Sequence, residues 1–85
     1  MSHDMMNISV VVIVKNGIKT IEECLQSLKS FEDVVVFDNG STDGTQDLCK
    51  TFSNVNLVEG DFIGFGPTKK LASTYAKHDW ILSLD

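Results

Sequence analysis

Residues 8–14, Ile8-Ser9-Val10-Val11-Val12-Ile13-Val14, form an almost unbroken β-branched run. A strand with one wet face alternates apolar and polar residues, and this run does not. It suits a strand buried on both faces, as in a parallel sheet covered by helices.

The rest of the chain supplies partners for such a strand. Lys15-Asn16-Gly17 breaks the run, and Thr20 with Glu23 three residues on reads as a capping box opening a helix. Ile21, Cys24, Leu25 and Leu28 give that helix one apolar face. Val34-Val35-Val36-Phe37 predicts a second buried strand, ending at Asp38. The turn-rich segment Asn39 to Thr45 follows, and then a helix with Asp43 as its cap, Gln46 at the matching box position, and Leu48, Cys49 and Phe52 as its buried stripe. Residues 55–58 read as a third strand. Pro67 fits the first turn of a third helix, with Leu71, Ala72, Tyr75 and Ala76 facing inward. Residues 80–84 read as a fourth strand, leading to Asp85. The order β-α-β-α-β-α-β predicts an α/β fold with an open, mostly parallel sheet. Residues 1–6 are expected to be a flexible tail, and residues 7–85 a single domain or half of one.

With 85 residues, 42% of them hydrophobic, the chain suffices for one core. Seven lysines, no arginine and twelve acids leave a net charge of −5, which argues against a nucleic-acid partner. A nucleotide ligand is not excluded, because it needs only one or two local cations. Cys24 and Cys49 each fall in an apolar helical pattern and read as buried, reduced thiols. No apolar run reaches the roughly 18 residues of a membrane span, and the first residues lack the basic region of a signal peptide. A cytoplasmic location is the expectation.

Ligands of an open α/β sheet bind beyond the carboxyl ends of its strands. Lys15-Asn16 follow the first strand, Asp38-Asn39 the second and Asp85 the fourth. Asp38 can accept hydrogen bonds from a ribose hydroxyl or a base N–H; equally, it can start a turn and cap the loop after it. Asn16 can donate and accept, yet Asn-Gly is also an ordinary turn dipeptide. Gly40-Ser41-Thr42-Asp43-Gly44 lacks the glycine-rich dinucleotide and phosphate-loop fingerprints, and reads as a capped turn. Lys69-Lys70 opposes the dipole of the third helix unless an anion answers it; the alternative reading is a pair of solvated surface lysines. His78 reads as a helix-end residue rather than a metal ligand.

Three stretches together, Ile8 to Gly17, Val35 to Thr45 and Asp79 to Asp85, resemble the N-terminal nucleotide-binding part of the family 2 glycosyltransferases with a GT-A fold. The resemblance implies a Rossmann-like half-sheet and a nucleotide-diphosphate sugar as donor, of uridine type. It also implies Mg²⁺ or Mn²⁺ in the full-length enzyme, and sugar transfer to a hydroxyl acceptor with inversion. By matching position, Val14, Lys15 and Asn16 line the base and ribose pocket, and Asp38 meets the base. Lys69 stands where the family often has a nucleotide-contacting Arg, keeping the charge but losing the bidentate fork. Asp85 resembles the first acid of the D-x-D motif, which faces the ribose. The metal-binding acid and the general base come later in the family's pattern, so these residues alone are expected to be inactive. Asn39 replaces the family's usual second acid. Glu59 to Lys70 and the Asp79-Trp80 pair look nearest to transferases of the lipopolysaccharide core, whose parents work at the cytoplasmic membrane surface.

Two other classes compete. A receiver-like or flavodoxin-like domain would need acids after the first strand, where this chain has Lys15-Asn16. A non-catalytic module would use the face and edge of the last strand, Trp80-Ile81-Leu82, to form homo-oligomers.

Overall fold

The computed structural model describes residues 8–61, 63–78 and 80–84. The expected tail at residues 1–6 and the candidate site residue Asp85 lie outside them. Strand β1 (Ile8–Val14), helix α1 (Ile18–Ser27), strand β2 (Asp33–Asp38), helix α2 (Thr45–Cys49), strand β3 (Val55–Glu59), helix α3 (Phe65–Ser73) and strand β4 (Trp80–Leu84) follow one another in the predicted alternation. The four strands form one sheet in the order β3-β2-β1-β4, and every pairing is parallel. The fold is therefore the α/β open parallel sheet that the sequence predicts.

Double burial accounts for the unbroken apolar runs. Val10, Val11 and Val12 of β1 and Val34, Val35 and Val36 of β2 are all buried. Alternate residues feed two cores. Val10, Val12, Val34 and Val36 pack with Ile21, Leu25 and Leu28 of α1 and Cys49 of α2. Val11, Val35 and Phe37 point the other way and meet Ala72 of α3. Burying each such side chain stabilises the fold by about 1.5–3 kcal/mol against leaving it in water. A polar substitution at any of these six valines would therefore damage one core whichever way it faced.

Several local expectations fail, for identifiable reasons. Helix α1 begins at Ile18, so Thr20 is already inside it and caps nothing. Gly17 holds the cap position and has no side chain to offer, so the acceptor comes from elsewhere in the fold, as described below. Helix α3 ends at Ser73, and Leu71 and Tyr75 stay exposed (39% and 45%); among the described side chains of this segment, Ala72 and Thr68 are the buried ones. Thr68 and Ala72, four positions apart, set the buried face, so Leu71 is rotated away from it and Tyr75 lies beyond the helix end. His78 does not cap α3 either. Its backbone N–H donates to Ser9 Oγ at 3.1 Å, and its Nε2 lies 3.2 Å from Glu32 Oε1. That contact joins a buried polar knot at the amino end of the sheet. Ser9 Oγ donates to Asp33 Oδ2 at 2.7 Å, and the Lys77 backbone N–H donates to the same oxygen at 2.8 Å. The knot fixes where the chain turns from α3 into β4.

Strand β4 pairs with β1 from Ile8↔Trp80 to Val12↔Leu84. Its side chains are nevertheless poorly covered: Trp80 is 74% exposed, Ile81 42% and Leu82 43%.

Candidate functional site

The chain runs outward from β1 to β2 to β3, then returns to place β4 on the far side of β1. Such a reversal opens a crevice at the carboxyl ends of the strands, because the loops on either side of it diverge. The loop after β1 borders that crevice, and the loop after β2 backs it.

These two loops are sewn together. The Asn39 backbone N–H donates to Val14 O at 2.9 Å, joining the ends of β1 and β2. Asn16 adopts φ +51°, a left-handed conformation that asparagine tolerates better than most residues. There its backbone N–H donates to Ser41 Oγ at 2.8 Å, and its Oδ1 accepts the Thr42 N–H at 2.7 Å. Asp43 bridges two helices from one carboxylate. Its Oδ2 accepts the Ile18 N–H at 3.2 Å, which caps α1, and its Oδ1 accepts the Thr45 N–H at 3.1 Å and the Thr45 hydroxyl, which starts α2. Gly44 makes this geometry available by taking φ +92° at the N-cap of α2.

Asp38 lies beneath this lattice and is completely buried. Its Oδ2 accepts the Ser41 N–H at 2.9 Å and Gln46 Nε2, while its Oδ1 accepts the Ser41 hydroxyl. Burial alone would push this carboxyl up. The hydrogen bonds from Ser41, Gln46 and Gly40 outweigh it and hold the group below its ordinary value of 3.8. Asp43 is likewise held below the ordinary carboxylate value, first by the Thr45 hydroxyl and then by the N–H groups it caps. Both acids are therefore anions at neutral pH, and both serve the loop. Of the two roles open to Asp38, the geometry displays loop capping.

A cavity of about 290 Å³ opens beside the ends of β1 and β4, lined by Val12, Val14, Lys15, Thr20, Cys24 and Leu84 among others. Val14 and Lys15 thus share a concave surface, and Asn16 adjoins it. Asn16 is exposed, and its Nδ2 has no hydrogen-bond partner among the described residues. Lys69 sits half-buried on α3, which packs on β1 and β2 from the opposite face to α1. A larger cavity, about 440 Å³, lies between the end of α1 and the start of β3, near Lys29, Phe52 and Asn54. It is at the amino edge of the sheet, away from the crevice.

Among the described residues, no group of three or more His, Cys, Asp or Glu side chains is placed to hold a metal ion. With the Asp38 oxygens committed inward, these residues do not by themselves fit the divalent ion that the resemblance implies. No helix of the described residues is long and apolar enough to cross a membrane.

The sequence located Asn16 and Asp38 but missed what connects them. Ser41 and Gln46 were legible only as local turn and cap residues, and the contact from Ser41 to Asn16, twenty-five positions away, left no mark in the sequence. The one available cue was Gly17, a cap position with no side chain, which demands an acceptor from another loop.

Comparison with known proteins agrees with the geometry. The chain is 35% identical over 79 residues to an uncharacterized glycosyltransferase of Rickettsia bellii, covering 92% of this chain and 26% of that protein. It is 34% identical over 77 residues to the SPbeta prophage-derived glycosyltransferase SunS of Bacillus subtilis, covering 87% of this chain and 18% of that one. It is 24% identical over 82 residues to the lipopolysaccharide core biosynthesis glycosyltransferase LpsC of Rhizobium meliloti, covering 92% of this chain and 30% of that one. The chain thus spans less than a third of the length of each of these relatives. No solved structure matches it. The family model for glycosyl transferase family 2 matches residues 9–85, nearly the whole parallel sheet and both sewn loops, and the chain belongs to that family.

Proposed function

We propose that this stretch is the donor-binding part of a glycosyltransferase that takes a sugar from a nucleotide diphosphate, of uridine type, and passes it to a hydroxyl acceptor with inversion. The observation that carries the reading is the crevice between β1 and β4, bordered by Lys15 and Asn16 and set beside the cavity that Val14 lines. An exposed carboxamide with uncommitted donors and a neighbouring ammonium suit a base edge and a phosphate oxygen respectively. Lys69 and Asp85 are the further residues we assign to the nucleotide. LpsC, a relative named for lipopolysaccharide core biosynthesis, supports cell-surface saccharide assembly as the setting, and the cytoplasmic membrane surface is the location we assign to it. Transfer needs a base at the acceptor hydroxyl and charge stabilisation at the leaving diphosphate. The described residues include no cluster that would hold a metal ion on that diphosphate, and the resemblance puts the general base later in the family's pattern, so the 85-residue chain should bind donor without turning it over.

Calorimetric titration of the chain with uridine diphosphate tests this, with heat at a single site expected. Absence of binding, with the fold intact by circular dichroism, rejects the proposal. Metal-dependent sugar transfer by the 85 residues alone would refute the inactive-fragment part of it.

The exposure of Trp80, Ile81 and Leu82 favours a second role for β4, association with another copy through its open edge. Light scattering with and without uridine diphosphate separates the two. Ligand-independent dimers with no nucleotide affinity would support the module reading; a monomer at high concentration would exclude it.

A further inference from the structure

We infer that Ser41 and Gln46 are positioning residues for the crevice, acting through Asp38 on the backbone of Asn16. The inference rests on the donor-binding reading for its purpose, though the linkage itself is visible without ligand.

The argument starts from the single proton of the Ser41 hydroxyl. That proton goes to Asp38 Oδ1, which leaves the hydroxyl oxygen to accept, and it accepts the Asn16 N–H at 2.8 Å. The order is polar and has one direction. An anionic carboxylate takes the hydroxyl proton, so the hydroxyl can face Asn16 only as an acceptor. Gln46 secures the other carboxylate oxygen from α2, and its Nε2 also lies 3.4 Å from Ser41 O. Asn16 in turn receives Thr42 N–H on its Oδ1, closing a ring of contacts between the two loops.

Asp38 is 0% exposed in the ligand-free fold, whereas Asn16 and Lys15 are exposed at the crevice. Through Ser41, Asp38 helps hold Asn16 at φ +51°, a sparsely populated conformation for a residue with a side chain. Lys15 immediately precedes it and is carried on the same turn. A donor site needs such side chains fixed before the ligand arrives, since ordering them on binding costs affinity. Gln46 makes no hydrogen bond to Asn16, so the hydrogen-bonded route between them runs through Ser41, by way of Asp38 or of the Ser41 carbonyl. A merely structural residue in α2 would lower stability without singling out that one amide.

The test uses the ¹⁵N-labelled 85-residue chain. Without ligand, Gln46→Met and Ser41→Ala should each shift the Asn16 amide resonance and speed its hydrogen exchange by roughly tenfold or more. Ser41→Thr, which keeps the hydroxyl, should leave both near wild type. Ser41→Ala alters a partly exposed loop residue and keeps the test decisive if Gln46→Met fails to fold. An Asn16 amide that is unmoved in a folded variant of either kind overturns the linkage. With uridine diphosphate as probe, the same two variants should bind roughly tenfold more weakly, while melting temperature tracks Ser41→Thr more closely than affinity does. Equal affinity in all four proteins overturns the positioning role. If the wild-type chain shows no uridine diphosphate shift at all, the donor-binding reading falls, and the exchange data still decide the linkage.

Discussion

Replacing Gly60 with alanine should unsettle the fold through one aromatic ring. Gly60 follows β3, and its N–H donates to Asp38 O at 3.1 Å. A Cβ built there would lie 2.7 Å from Phe37 Cζ, with two further ring carbons at 3.4 and 3.6 Å. The first distance is well inside van der Waals contact, so something must move. Phe37 has nowhere to go, being 1% exposed and packed with Val11, Val35 and Ala72, with Ile13, Val58 and Ala76 at its margin. The backbone at Gly60 is not left-handed, so the cost comes from overpacking rather than from lost glycine freedom. Overpacking of this kind costs about 1–3 kcal/mol. In a domain of this size that lowers Tm by roughly 4–24 °C. Urea denaturation followed by circular dichroism measures it. A double-mutant cycle with Phe37→Leu makes the reasoning sharp: the shorter side chain frees the space, and the alanine should then cost less than about 0.5 kcal/mol. An equal cost in both backgrounds would show that the ring is not the obstacle, and no cost at all would refute the packing argument.

Three other outcomes follow from contacts described above. Asp33→Ala removes the shared acceptor of Ser9 and Lys77 and should cost about 1.5–3 kcal/mol, with faster hydrogen exchange at the Lys77 amide as its local mark. Because Asp38 and Asp43 titrate below their ordinary 3.8 in the folded chain, they stabilise it fully above that value and lose that contribution as pH falls through their lowered values. Asp38→Asn should therefore be less stable than wild type at pH 7 and converge toward it in acid melts; a constant gap would refute the linkage. Cys49 is pushed up to about 11 by burial and secondarily by the Asp38 charge, so it should resist thiol reagents at pH 8 until the chain unfolds, whereas half-buried Cys24 should label first. Equal labelling rates in the native protein would contradict the burial of Cys49.

What the sequence revealed about this protein divides along a physical line. Val10 to Val12 and Val34 to Val36 announced their strands because double burial leaves no polar alternation to misread. The alternation of strands and helices then fixed the sheet as parallel, and motif resemblance reached the family that the comparison bore out. The helix starts were illegible because their caps are tertiary: Ile18 is capped by Asp43, twenty-five positions away. Thr20 and Glu23 mimicked a local signal that the fold does not use. Gln46 was seen as half of a local box and turned out to serve Asp38 instead. Leu71 and Tyr75 kept helical spacing, but spacing alone cannot tell how far α3 extends or what lies against it.

The position of β1 between β2 and β4 also bears on how the protein is made. Its first partner is complete when Asp38 has been synthesised, but its second ends only at Leu84. At about 5–20 residues per second on the ribosome, one edge of β1 therefore waits on the order of seconds for its partner. During that interval Val10 to Val14 presents one open edge of an uncharged, β-branched segment without proline, a composition prone to self-association. The greatest aggregation hazard thus belongs to the nascent chain, and chaperone supply during translation should govern yield more than the stability of the finished sheet.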